Sequence, residues 1–376
     1  MTLVVGGIVP PNDVVGRYRD VEAVLAALPH SGAVLVGDRR HGKTSLSRVV
    51  QHHVAAAGAV VVAVSAERET YSDFVAALAA ALAKLEPAWS HELSRLRVSL
   101  TAGPVKVERD ERAAAALDEL LARAVNRADD RQVVLFVDEV TVLARNLERR
   151  EVGSGDSFLH TLRRFRQDYG GRVATVLSGS IGFHHVSTDA PSTVNDIRKI
   201  TVGPIRTDHA AYLAECLLLG VGMHPDHANA LAPAVASAAE NVPYYIQHLV
   251  ADSLDSWRTT GSIPRPDRIA AFVTEAITAP TDPWDLKHYR DRLPTYYGED
   301  AATIATLLDV YAHADAPLTV DEALTRVRSE DLSVTDRDQL VTYVERLELD
   351  HYLIREGRTD RFASELVRSA WRAMRR

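Results

Sequence analysis

Gly37-Asp38-Arg39-Arg40-His41-Gly42-Lys43-Thr44 follows the apolar run Ala33-Val34-Leu35-Val36 and precedes Ser45-Leu46-Ser47-Arg48-Val49-Val50. The eight residues satisfy G-x-x-x-x-G-K-[ST], the pattern of a phosphate-binding loop. The flanks matter as much as the match. The apolar run reads as a buried strand, and the residues after Thr44 have helical spacing. Strand, glycine loop and helix form the arrangement that this chemistry needs. Glycine lets the backbone approach phosphates closely, and a helix N-terminus offers unpaired N–H groups and a positive dipole end. In that pattern Lys43 reaches the β- and γ-phosphates, and the Thr44 hydroxyl binds Mg²⁺. With average residue usage, about one chain in a hundred of this length would match by chance. Only five lysines occur (Lys43, Lys84, Lys106, Lys199 and Lys287), which lowers that chance further.

The chain has 376 residues, enough for two or three domains with a sizeable core. Its 46% hydrophobic and 25% charged content is that of a soluble globular protein. A net charge of −8 argues against coating nucleic acid or anionic membrane through bulk charge, but leaves room for a local basic patch. Cys216 is the one cysteine, so a disulfide framework within the chain is excluded. Its setting in Leu213–Leu219 predicts a small core residue of a helix. The N-terminus lacks the basic start of a secretory signal, and no apolar stretch is long enough to span a bilayer. A cytoplasmic location without membrane partners is expected.

From the loop outward, alternating strand and helix patterns fill the first two hundred residues. Residues 1–15 read as an extended lead-in, and a helix is predicted from Asp20 to Leu28. The helix after the loop should run to about Ala57. Ala59–Val64 is a β-branched run of the kind buried on both faces of a parallel sheet. Helices are predicted at 72–85 and 111–127, with a short hairpin near 96–108. Val133-Val134-Leu135-Phe136-Val137 is a strand ending in Asp138-Glu139. A helix at 156–168 follows, then the strand 173–177 ending in Ser178-Gly179-Ser180, and a last strand at 199–202. This order predicts an α/β, doubly wound parallel sheet. Ligands bind beyond the C-terminal strand ends of such sheets. The phosphate loop, Asp138-Glu139 and Ser178-Gly179-Ser180 all fall there.

Past residue 207 the pattern is helical, at 208–220, 226–239, 244–257 and 268–277, with a linker at Ala279–Pro283. The remainder predicts helices near 300–313, 319–328 and 335–348, then two β-like pieces and a last helix. Three helices followed by a two-stranded wing suggest a winged helix. The expected division is a core at 1–206, a helical lid at 207–283 and a winged-helix-like domain at 284–376.

Asp138 and Glu139 supply the second half of a site. A carboxylate at the end of the strand next to the loop can hold Mg²⁺. A second one can orient and deprotonate an attacking water. The alternative is an N-cap and first-turn acid of the next helix. Ser180 is either a residue near a γ-phosphate or a plain turn residue. Arg198 either stabilises transition-state charge or pairs with a surface acid. Arg163, Arg164 and Arg166 are expected on a solvated helix face, and His224 and His227 at a turn and helix start.

Val14-Val15-Gly16-Arg17, the loop with Ser45-Leu46, the strand ending in Asp138-Glu139, and Leu177-Ser178-Gly179-Ser180 together resemble the STAND class of P-loop ATPases. The prokaryotic, archaeal-type branch, related to AAA+ and to origin-recognition initiators, fits best. The resemblance continues through Ile200–Ile205, through Val242–Gln247, similar to that family's Gly-x-Pro element in the lid, and through His288–Leu293. It implies a P-loop ATPase core with a helical lid and a C-terminal winged helix, using ATP/ADP and Mg²⁺. It places Gly16 and Arg17 near adenine and ribose, Ser180 at the sensor-one position and Arg198 at the arginine-finger position. Pro243 would contact the nucleotide from the lid. Asn241 departs from the family glycine, but asparagine tolerates left-handed backbone angles. The implied behaviour is a switch driven by slow ATP hydrolysis, with Glu139 as the base.

The candidate recognition helix, Asp336–Asp350, carries five acids and two bases. Phosphate neutralisation requires the opposite balance. From Arg355 onward the chain is basic, which suits either a nucleic-acid backbone or docking onto acidic surfaces. A protein partner or self-association is therefore expected ahead of DNA.

Overall fold

The protein is described here by a computed structural model, covering residues 1–68, 70–85, 106–329 and 336–375. Two compact units form. One is Val9–Gly203, and the other combines Met1–Ile8 with Pro204–Arg376.

Five parallel strands build the first unit. These are β1 (Gly32–Val36), β2 (Val60–Ser65), β3 (Val133–Asp138), β4 (Val173–Ser178) and β5 (Arg198–Thr201), in the order β2-β3-β4-β1-β5. Its helices are α1 (Tyr18–Ala27), α2 (Lys43–Ala56), α3 (Tyr71–Leu85), α4 (Lys106–Arg127), α5 (Val140–Arg150) and α6 (Ser154–Tyr169). Period-2 alternation sends successive strand residues to opposite faces. Val34, Val62, Leu135, Val137 and Leu177 pack with Phe74, Leu117, Leu143 and Phe158 of α3 to α6. Leu35, Val134, Phe136, Val176 and Ile200 pack on the other face with Val24, Leu46 and Val50 of α1 and α2. Helices thus cover both faces, and the sheet is doubly wound as expected.

Four expectations need correction. First, β2 is an edge strand. Val62 and Val64 are buried, but Ala63 and Ser65 are exposed, so the β-branched run is not buried on both faces. Second, β4 lies between β1 and β3, so the strand ending in Asp138 is not the neighbour of the loop strand. Third, a helix, α5, starts directly after Glu139 and precedes the expected one. Its sequence, Val-Thr-Val-Leu-Ala-Arg-Asn-Leu, begins with β-branched residues that mask a helical start. Fourth, Arg166 is not solvated. It is 1% exposed, and its guanidinium donates to both carboxylate oxygens of Asp196 and to the Thr193 carbonyl. The hairpin expected at 96–108 lies outside the described residues, except for its last three, which open α4.

The second unit is helical at first: α7 (Thr207–Gly220), α8 (Pro225–Ala238), α9 (Pro243–Thr260) and α10 (Pro266–Thr278). Cys216 is half-buried on α7. His224 caps α8, accepting from the Asp226 N–H, as its turn reading anticipates. After the short α11 (His288–Asp291) and α12 (Leu293–Tyr297) come α13 (Ala301–His313), β6 (Leu318–Thr319), α14 (Val320–Ser329) and α15 (Arg337–Leu349). The hairpin β7 (Leu353–Glu356) and β8 (Thr359–Phe362) follows, and α16 (Glu365–Met374) ends the described chain. Strand β6 joins this hairpin in an antiparallel sheet ordered β6-β8-β7. Among the described residues, no helix is long and apolar enough to cross a membrane.

Candidate functional site

The eight-residue loop leaves β1 and enters α2 at the C-terminal edge of the first sheet. Its backbone is left-handed at three places: Gly37 at φ 143°, Arg40 at 73° and Gly42 at 87°. At Gly37 a side chain is excluded twice over, because a Cβ would lie 2.2 Å from the Val202 carbonyl oxygen. Gly42 is the N-cap of α2, and no side chain caps that helix. The loop thus wraps around the positive end of a helix dipole, the arrangement that favours anions.

Lys43 is buried, and its ammonium donates to the carbonyls of Gly37 (2.7 Å) and Asp38 (3.0 Å). The cation therefore sits inside the loop's curve. The Asp38 carboxylate, also buried, accepts from the Arg39 N–H at 2.7 Å. Thr44, the next residue, is exposed at the first turn of α2, and Ser45 is half-buried beside it.

A second set of groups converges from β3 and β4. The Thr44 hydroxyl donates to Asp138 Oδ2 at 2.9 Å, and the Ser178 hydroxyl donates to Asp138 Oδ1 at 2.5 Å. Asp138 Oδ1 also accepts from the Glu139 N–H. Glu139 is left-handed at φ 56° and stands at the N-cap position of α5, but its side chain makes no capping bond. Its Oε2 instead accepts from Ser180, from the N–H at 2.8 Å and the hydroxyl at 2.7 Å. Gly179 must be glycine here, since a Cβ would meet the buried Thr141 Oγ1 at 2.2 Å.

Arg17, at the N-cap of α1 after the left-handed Gly16 (φ 78°), is 5% exposed. One guanidinium nitrogen donates to the carbonyls of His41 and Gly203, each at 2.6 Å, and the other pairs with Asp20. The His41 ring contacts the Val202 carbonyl at 3.3 Å, and burial pushes its pKa down to about 4. The neutral ring donates from Nδ1 to that carbonyl.

Arg198 is not brought to this cluster. It opens β5 in register with Ala33, whereas the loop leaves the sheet after Val36, beside Thr201. Three residues of strand separate the two levels by about 10 Å. Arg198 is exposed, at the opposite end of the strand. Pro243 belongs to the second unit, where it is the first residue of α9. The turn before it holds Glu240 at φ 49° and Asn241 at φ 60°, so Asn241 does adopt the left-handed angle. The Asn241 carbonyl accepts from the Ile205 N–H, which fixes that turn.

Some residues of the cluster had no sequence signal of their own. Ser178 was legible only as the end of a strand. Thr141, Asp20 and the carbonyls of Val202 and Gly203 acquire meaning only from the fold.

A hydroxyl and a carboxylate 2.9 Å apart are hard oxygen donors of the kind Mg²⁺ takes, beside a loop that is shaped for phosphate. The residues present therefore fit a nucleotide with Mg²⁺. When bound, that pair supplies the phosphoryl group and the charge neutralisation. Lys43 and the loop N–H groups would hold phosphates, Thr44 and Asp138 would face the metal, and Glu139 and Ser180 would face an attacking water.

No protein-family model matches the chain. No curated protein matches it either. Solved structures do. A Walker-type ATPase of Pyrococcus abyssi is 13% identical, with a TM-score of 0.65 over 99% of this chain and 100% of that one. The Aeropyrum pernix ORC2 protein, solved as ADPNP–ADP complexes, is 12% identical, with a TM-score of 0.57 over 98% and 96% of the two chains. At such identities the likeness is one of fold alone: an α/β core of five parallel strands with helices on both faces.

Proposed function

We propose that the chain binds ATP with Mg²⁺, hydrolyses it slowly and acts as a nucleotide-controlled switch that engages a protein partner. One observation carries the reading: the Thr44 hydroxyl meets the Asp138 carboxylate at the mouth of a loop whose backbone is bent for phosphate. In this reading Lys43 neutralises the β- and γ-phosphates, Thr44 and Asp138 hold Mg²⁺ and Glu139 deprotonates water. Gly37 through Ser45 cradle the phosphates. Gly16 borders the base side, Ser180 senses the γ-phosphate through Glu139, and Pro243 closes from the lid.

The switch belongs to the STAND class by the motifs quoted above. The parts are a core at 1–206, a lid at 207–283 and a winged-helix-like domain at 284–376. Support for the last is the order α13, β6, α14, α15 and hairpin. Because Arg198 lies at the far end of β5, the natural use for it is on a neighbouring subunit's nucleotide.

A protein partner is favoured over DNA by what the C-terminal arginines do. Arg355 pairs with Glu348 and Asp360, Arg361 with Glu356 and Arg375 with Asp309. Arg368 and Arg372 donate to carbonyls at the end of α13. Cations held this way have little left for phosphates. Gel-shift titration of duplex DNA with and without ATP, across a salt series, tests the choice. Weak, ATP-independent binding is expected. Tight, steeply salt-sensitive, ATP-dependent binding would favour an initiator-like DNA-binding protein instead.

A further inference from the structure

We propose that Arg17 is a positioning residue that ties the phosphate loop to the point where the chain leaves its compact unit, so that loading the loop is felt at Val202–Gly203. This rests on the nucleotide reading above, and goes beyond it.

The loop touches that exit in three ways. At its start, Gly37 lies so close that a Cβ would overlap the Val202 carbonyl oxygen. At its crest, the His41 ring contacts the same carbonyl at 3.3 Å. Between them, one nitrogen of Arg17 bridges the carbonyls of His41 and Gly203, each at 2.6 Å. The Val202 N–H in turn donates to the Val36 carbonyl at the end of β1. Gly203 is the last residue of its unit, and Pro204 already belongs to the other.

The chemistry of the link lies in a single peptide group. The His41 carbonyl and the Gly42 N–H belong to the same planar unit. Gly42 is the N-cap of α2, so its N–H stands where an anion is bound. An anion accepting from that N–H polarises the peptide, and the His41 carbonyl becomes a stronger acceptor for Arg17. Arg17 shares the same nitrogen with Gly203, so a firmer hold on the loop is a firmer hold on the exit. The planar, permanently charged guanidinium suits such a bridge, and Asp20 offsets the burial of its charge. Arg17 thereby acts on the nucleotide only through backbone carbonyls.

Hydrogen exchange on the full chain tests this, with Mg²⁺ and a non-hydrolysable ATP analogue, alongside a fluorescent-nucleotide titration. In the parent protein the analogue should slow exchange several-fold in the segment 199–206. Arg17→Ala should still bind nucleotide but lose that slowing. Arg17→Lys, which can still present one nitrogen to both carbonyls, should restore part of it. Slowing that persists undiminished in a nucleotide-bound Arg17→Ala protein overturns the proposal. If Arg17→Ala fails to fold, Arg17→Lys decides: reduced slowing supports the link, and full slowing overturns it. A parent protein that binds no nucleotide would instead sink the reading on which the proposal rests.

Discussion

Thr44 and Asp138 meet at 2.9 Å although a whole strand, β4, separates the strands that deliver them. Ser178 at the end of that intervening strand closes the gap, donating to the other oxygen of the same carboxylate. Asp138 is therefore held by three donors, two hydroxyls and the Glu139 N–H, before any metal is considered. A carboxylate fixed in this way presents its charge without a reorganisation step, the property on which phosphoryl-transfer sites depend.

Asp138→Ala should accordingly have two effects. It leaves three donors without an acceptor, which costs about 1–3 kcal/mol of stability. It should also remove most of the Mg²⁺ dependence of nucleotide binding. Thermal unfolding and titrations with and without Mg²⁺ check both. A variant whose affinity kept its full response to Mg²⁺ would show that the metal is held elsewhere.

Glu139→Gln keeps the shape of the side chain and an oxygen to accept from Ser180. We expect it to bind ATP like the parent chain and to release no phosphate. A parent-like rate in a phosphate-release assay would mean that the assigned base is wrong. Ser180→Ala removes one of the two bonds on Glu139 Oε2 and retains the N–H bond. Turnover should fall several-fold with affinity unchanged.

How much of this was legible beforehand differs by element. The loop, α2 and β3 could be read because each follows a local rule: the glycine pattern, helical spacing and a β-branched run. The strand order could not, since nothing local places β4 between β1 and β3. Arg166 misled for the same reason. Its neighbours Arg163 and Arg164 are exposed enough to suggest a solvated face, and its partner Asp196 comes from a distant loop. The convergence of Ser178 and Ser180 on two adjacent carboxylates likewise needs the register of the sheet.

The Arg166–Asp196 pair itself yields a stability prediction. Arg166→Ala leaves the partly buried Asp196 carboxylate with Arg163, at 4.0 Å, as its remaining cation, so the loss should be at most that of a fully broken buried pair, about 3–5 kcal/mol. Replacing both partners together with apolar residues should recover much of that loss. Chemical denaturation of the single and double variants measures it, and equal losses in both would contradict the assignment.

His41 sets a pH dependence. Burial pushes its pKa down to about 4, with Lys43 and Arg17 acting in the same direction and Asp38 opposing. The unfolded chain takes up the proton near pH 6.5 and the folded one only near 4, so the unfolded state binds more protons between these values. Stability from this group is present above pH 6.5 and is lost as the pH falls toward 4, by at most about 1.4 kcal/mol per pH unit. Unfolding midpoints of the parent and of His41→Gln should therefore converge as the pH drops through that window. Parallel curves would exclude the ring as the source.

Calorimetric titration with ATP in the presence of Mg²⁺, on the parent chain and on Lys43→Ala, tests the central claim most directly. Saturable binding of one nucleotide per chain, abolished by the substitution, is the predicted result. Silence from the parent chain, or equal binding by both proteins, would contradict it.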